Sequence, residues 1–276
     1  MIRCRLKFSK HGPVRFVGHL DVMRYFQKVM RRAGVDLAWS EGFSPHPVMS
    51  FAQPLSVGAT SDGEYMDLAL QSFSDLREEE AYRPPLTEQE QPDTDEALRE
   101  LADRINRVCR EGITVLDLIA LPEKAEKAMT AVWACSWEVK LRTEGLQDAS
   151  FYEKNLLAFL DRETIMAGKR TKKGVSTTDI RPLILDARVA DDRETFLLLL
   201  RSGSQENLKP ALFMGAYLRY CGLEAPYTED GSDELAPYAL ILHRVETYTA
   251  QEDGAVLVPL IARGDGSSIR TALSGR

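Results

Sequence analysis

The sequence predicts an α+β protein made of two tandem ferredoxin-like (split βαβ) domains with antiparallel sheets. Three observations predict it. The element order strand, helix, strand, strand, helix, strand can be read twice along the chain, which is the split βαβ pattern. Apolar residues recur with period two in the first segment and at helical spacing in the next. A chain of 276 residues also fits two domains of ordinary size better than one.

Residues 3–8 alternate basic with apolar (Arg3, Cys4, Arg5, Leu6, Lys7, Phe8), as a strand with one buried face requires. A turn at His11-Gly12-Pro13 follows. Over residues 20–33, Val22, Phe26, Val29, Met30 and Ala33 recur at helical spacing, and Gly34 supplies a left-handed stop. Residues 35–40 and 48–55 read as strands around the turn Gly42-Phe43-Ser44-Pro45-His46-Pro47, and residues 64–70 as a further strand. A second helix over residues 95–110 places Leu98, Leu101, Ala102, Ile105, Val108 and Cys109 on one face; Asp93 with Glu96 resembles a capping pair and Gly112 ends it. A strand over residues 113–121 completes the first domain, residues 1–121.

A charged connector, residues 122–127, leads to the second domain, residues 128–262. It repeats the order with a strand at 131–141, a helix at 150–160, strands at 183–189 and 195–200, a helix at 207–221 and a strand at 238–245. Asn207 is expected to cap that last helix and Gly222 to stop it. The halves share no residue-level repeat, so the duplication rests on element order. Residues 263–276 are rich in Gly and Ser and are expected to form a mobile tail.

Composition narrows the function classes. With 44% hydrophobic and 28% charged residues the chain is neither disordered nor collagenous. No stretch approaches the roughly 20 apolar residues of a membrane helix, and no apolar run follows the basic N-terminus, so a cytoplasmic protein without membrane partners is expected. Cys4, Cys109, Cys135 and Cys221 lie far apart, which suits core positions and gives neither a metal knuckle nor a disulfide framework. Without a closely spaced cysteine triplet the chain is not expected to hold an iron–sulfur cluster, and no metal or other cofactor is expected.

Charge is unevenly spread. The formal net charge is -7, yet the first 50 residues carry nine basic against three acidic residues, a local net of +6. Compensating acid lies mostly between Asp62 and Glu126, including an acidic run at residues 75–80 and a Pro-rich segment at 83–94 that reads as a solvated linker. On the first helix Arg24, Lys28 and Arg31 stack on one face with Arg32 beside them, and no acidic residue lies between Arg24 and Arg32. Such a stripe suits phosphate contact through counterion release, or is a solvated face paired to the acidic run. Lys169, Arg170, Lys172 and Lys173 form a second cluster, expected on a loop, where ammonium groups and backbone N–H groups can grip phosphates. At the proline-stiffened turn, His46 is held rigidly and Phe43 either offers a stacking surface or packs inward. Of the histidines, His19 and His46 are the candidates for a general base in metal-independent RNA cleavage.

The runs Val14-Arg15-Phe16-Val17-Gly18-His19-Leu20-Asp21, Arg31-Arg32-Ala33-Gly34, Glu41-Gly42-Phe43-Ser44-Pro45-His46-Pro47, Ser50-Phe51-Ala52-Gln53-Pro54-Leu55-Ser56-Val57-Gly58 and Glu64-Tyr65-Met66-Asp67 resemble the bacterial radical SAM-linked protein family. Thr178-Asp179-Ile180-Arg181-Pro182 resembles a later motif of that family. The resemblance implies a domain of unknown function fused to or encoded beside a radical SAM protein that carries the cluster. More faintly, the basic first helix with a histidine near its start is similar to the ferredoxin-like RNA-binding proteins of CRISPR systems. The expectation is a non-catalytic accessory module that binds RNA, with transfer and ribosomal RNA the candidate classes, alongside a radical SAM enzyme. A metal-independent endoribonuclease and a protein-only adaptor are the alternatives.

Overall fold

The computed structural model describes residues 1–71, 94–142, 147–251, 254, 256–261 and 269–270. It is an α+β protein with largely antiparallel sheet structure. The chain divides into two compact units, Met1–Val57 with Ser61–Ala131, and Gly58–Thr60 with Val132–Arg276.

In the first unit β1 (Ile2–Lys10) sends Cys4, Leu6 and Phe8 into the core. The helix α1 (His19–Arg32) turns Val22, Phe26, Val29 and Met30 onto the same core and leaves its cations outside. It ends as the sequence requires: Gly34 takes φ +61°, the Val35 N–H donates to the Met30 carbonyl and the Gly34 N–H to that of Arg31. The remaining elements are β2 (Met49–Phe51), β3 (Thr60–Leu70), α2 (Thr94–Val108), β4 (Ile113–Ala120) and the short α3 (Ala128–Ala131). Spatial order is β4-β1-β3-β2, every neighbour antiparallel. Leu98, Leu101 and Ile105 of α2 join the same cluster. Phe8 meets Phe26 and Phe51 edge-to-face, with ring centroids 4.8 and 6.0 Å apart.

Two expected strands of this unit are corrected. Residues 35–40 form no strand; the segment makes only single bridges, Leu37 to Leu70 and Trp39 to Pro47. Pro45 and Pro47 lack the N–H groups that a continuous ladder would need. The strand expected over 48–55 contracts to β2 before Pro54. The acidic run at 75–80, residues 83–93 of the linker, and Asp93 of the expected capping pair lie outside the described residues.

The second unit contains β5 (Ala134–Leu141), α4 (Ala149–Leu160), β6 (Met166–Thr171), β7 (Gly174–Asp179), β8 (Ile184–Val189), β9 (Thr195–Arg201), α5 (Pro210–Tyr220) and β10 (Leu240–Gln251). Spatial order is β10-β5-β9-β8, again antiparallel at each step. Tyr152 and Phe159 of α4 pack against Phe196 of β9 and against Phe213 and Tyr217 of α5 in edge-to-face and tilted pairs. The Tyr217 hydroxyl donates to the Tyr152 carbonyl at 2.7 Å. Asp148 caps α4 by accepting the Phe151 N–H at 3.0 Å.

Here too the sequence reading is amended. The basic segment expected on a loop is a hairpin, β6 with β7, forming a two-stranded sheet of its own. The helix expected from Asn207 starts at Pro210 with Lys209 at its N-cap, because proline is preorganised for the first helical turn. Beyond β10, β11 (Val256–Pro259) pairs with β10, and β12 (Ile269–Arg270) pairs with β11. The expected mobile tail, 263–276, otherwise lies outside the described residues. Among the described residues no helix is long and apolar enough to cross a membrane.

Candidate nucleic-acid interface

The amphipathic pattern that buries one face of α1 leaves the other for its cations: Arg24, Lys28, Arg31 and Arg32 are all exposed. Arg24 does have a helical partner, Asp21 one turn earlier, at 3.2 Å between two exposed groups. Such a pair contributes little and is readily exchanged for another anion.

After Gly34 the chain folds back along the helix, and residues 38–48 form a narrow loop. Its base is fixed by the Val48 N–H on the Ala38 carbonyl at 2.8 Å and the Ser40 N–H on the His46 carbonyl at 2.9 Å. Gly42 takes φ +113°, a conformation that side chains rarely adopt, and this lets the tip turn. Phe43 projects from that tip, fully exposed, so its ring does not pack inward. The His46 ring is oriented by Ser40, whose Oγ lies 2.9 Å from Nδ1 and also accepts the His46 N–H at 3.1 Å.

Between α1 and this loop lies a cleft of about 580 Å³. Arg24, Gln27, Lys28 and Arg31 line it from the helix; Val35, Asp36, Leu37, Trp39, Pro45, His46 and Pro47 line it from the following segment. The structure thus brings together three of the predicted helix cations and His46. Trp39 is a cleft residue that periodicity does not single out, because it falls inside the strand expected over residues 35–40. It is 59% exposed, and a lone tryptophan beside a polar, proline-rich turn was the available signal.

Other predicted residues go elsewhere. His19 begins α1 and sits edge-on to Phe51 at 5.1 Å, lining a separate, very small cavity with Phe8, Lys10 and Glu64. Lys10 is buried there and donates to the Val17 carbonyl at 2.7 Å; burial lowers its pKa while Glu64 opposes the shift. His19 and His46 therefore do not line one cavity. In the second unit, Lys169 donates to the Asn207 carbonyl at 2.9 Å and Arg170 reaches Asp230 at 3.3 Å, whereas Lys172 and Lys173 form the exposed turn of the hairpin. Asp230 is held down to about 2, chiefly by hydrogen bonds from Ser232 and Thr228. Among the described residues no group of three or more His, Cys, Asp or Glu side chains could hold a metal ion.

The model of a bacterial family described as "Uncharacterized protein conserved in bacteria (DUF2344)" matches residues 3–95 and 88–210. The chain belongs to that family. Its matched span takes in all of α1, the cleft and the β6–β7 hairpin, so both cationic features are part of the family domain. No curated protein matches the chain.

Proposed function

We propose that the protein is a non-catalytic accessory RNA-binding module that works with a separate radical SAM enzyme in RNA modification. The observation that carries this reading is the cleft of the first unit, where three cations of one rigid helix face an aromatic and proline-rich loop. Clustered cations bind a phosphate backbone by releasing its counterions. The resemblance of residues 14–67 to radical SAM-linked proteins supports the choice of partner. The β4-β1-β3-β2 and β10-β5-β9-β8 orders support reading residues 1–121 and 128–262 as ferredoxin-like domains in tandem. A cytoplasmic site of action belongs to the same proposal.

Binding of transfer RNA and of ribosomal RNA fragments to the purified protein tests this reading. Raising salt from roughly 50 to 200 mM should weaken binding by about one to three orders of magnitude for a handful of phosphate contacts. Joint reversal of Arg24, Lys28 and Arg31 to Glu should reduce both affinity and salt slope while leaving the fold intact, because exposed charges contribute about 0–1 kcal/mol each. Undetectable or salt-independent binding would overturn the RNA reading. If the triple variant lost capture of a radical SAM partner and kept its RNA binding, the surface would belong to a protein-only adaptor.

A further inference from the structure

We propose that the cleft seats an unpaired nucleotide, its base stacked on Trp39 and its flanking phosphates held by Arg24, Lys28 and Arg31; this rests on the RNA reading above. Of the three tryptophans, Trp39 alone offers a ring to a ligand in this way. Trp133 lies under the Arg201 guanidinium at 3.3 Å, and Trp137 is 6% exposed beneath that of Arg244 at 4.8 Å. Trp39 is 59% exposed on a backbone pinned by its bridge to Pro47 and by the Ser40 and His46 bonds. A large indole face left to water on a fixed backbone is a preformed stacking platform, available at little ordering cost.

Size and charge fit the same occupant. The cleft volume of about 580 Å³ falls within the roughly 300–1,000 Å³ typical of small-ligand sites, which leaves room for one nucleotide. Arg24, Lys28 and Arg31 succeed one another at spacings of four and three residues, so they form a row along the helix that a backbone can follow. A paired base keeps its faces inside the duplex stack, whereas an unpaired base is free to lie on an aromatic ring. An acidic peptide would satisfy the cations but leave the indole without a π partner. Enzymes that act on a base must first have it out of the stack. A module that holds an unpaired nucleotide therefore does preparatory work for a modifying partner.

The test compares a mixed-sequence single-stranded RNA of about ten nucleotides with the same sequence fully paired. Single strand should quench the tryptophan fluorescence of the parent and leave that of Trp39→Ala unchanged. Trp39→Ala should bind single strand roughly 5- to 150-fold more weakly and duplex unchanged, and Trp39→Phe should recover most of the loss. Trp39→Leu, which keeps apolar bulk without a π face, should behave as the Ala variant; circular dichroism confirms that each is folded. Reversal of Arg24, Lys28 and Arg31 should weaken both RNAs. If Trp39→Ala and Trp39→Leu bind single strand like the parent while the triple reversal loses it, stacking is wrong and RNA binding stands. If the triple reversal binds like the parent, the RNA reading of the cleft has itself failed.

Discussion

Arg5 shows how a single side chain can depart from its pattern. The alternation of β1 assigns it to the wet face, yet it is only 6% exposed. Its Nε donates to Asp67 Oδ1 at 2.7 Å and its Nη2 to Oδ2 at 3.2 Å, with a further bond to the Glu126 carbonyl at 2.8 Å. Asp67 also accepts the Ala128 N–H at 2.7 Å, so one carboxylate ties β1 and β3 to the start of α3. Removing one member of a buried, hydrogen-bonded pair leaves the other charge uncompensated. Asp67→Ala should therefore cost roughly 3–5 kcal/mol in denaturant unfolding, with a smaller loss for Asp67→Asn. A loss below about 1 kcal/mol would show the guanidinium to be solvated after all. Neither Arg5 nor Trp39 could be assigned from periodicity, since one is buried by a partner distant in sequence and the other stands exposed on a loop joined to its return arm by a single bridge. Arg24, Lys28 and Arg31 could be, because helix geometry alone fixes which residues share a face.

Among the elements, those with their own punctuation were legible. Helix α1 with Gly34, and α2 with its apolar stripe, lie within a residue or two of expectation. The β6–β7 hairpin was not, because its strands are mostly exposed and carry no apolar alternation; the turn signal Lys172-Lys173-Gly174 was present without flanking strands to read. Helix α5 was found, but its apolar run hides a constraint that only packing reveals. A Cβ placed on Gly215 would run into the Asp233 carbonyl oxygen and lie 3.3 Å from the Tyr227 ring. Elsewhere in a helix, Gly→Ala gains about 1 kcal/mol. At this position backbone cannot yield as a flexible side chain would, so overpacking of roughly 1–3 kcal/mol should outweigh the gain. Gly215→Ala is expected to melt below the parent in a calorimetric scan, and a rise in melting temperature would refute the close approach.

At the scale of the whole molecule, burial of thiols and phenols sets the response to alkali. Burial pushes Cys4 from 9.0 to about 12 and Tyr25 from 10.0 to about 12, and it raises Tyr217, Tyr152 and Tyr248 as well. An unfolded chain releases these protons at ordinary values while the folded one retains them, so above about pH 9 stability falls as pH rises. Lys10, lowered by burial, acts in the opposite sense but is a single group against many. Melting temperatures should decline steeply between about pH 9 and 11; a plateau or an increase there would mean that these groups are not desolvated in the folded protein. The β6–β7 hairpin carries a different kind of consequence. The Ile180 N–H donates to the Ile165 carbonyl at 2.8 Å, so the chain departs and returns at neighbouring points, both isoleucines being buried. The exposed turn at Lys172 and Lys173 can lengthen or be exchanged without moving the register of β8 on β9, because β6 and β7 are already paired on either side of it and β6 is anchored where Asp233 accepts the Gly168 N–H. That turn is thus a ready graft point for a foreign loop.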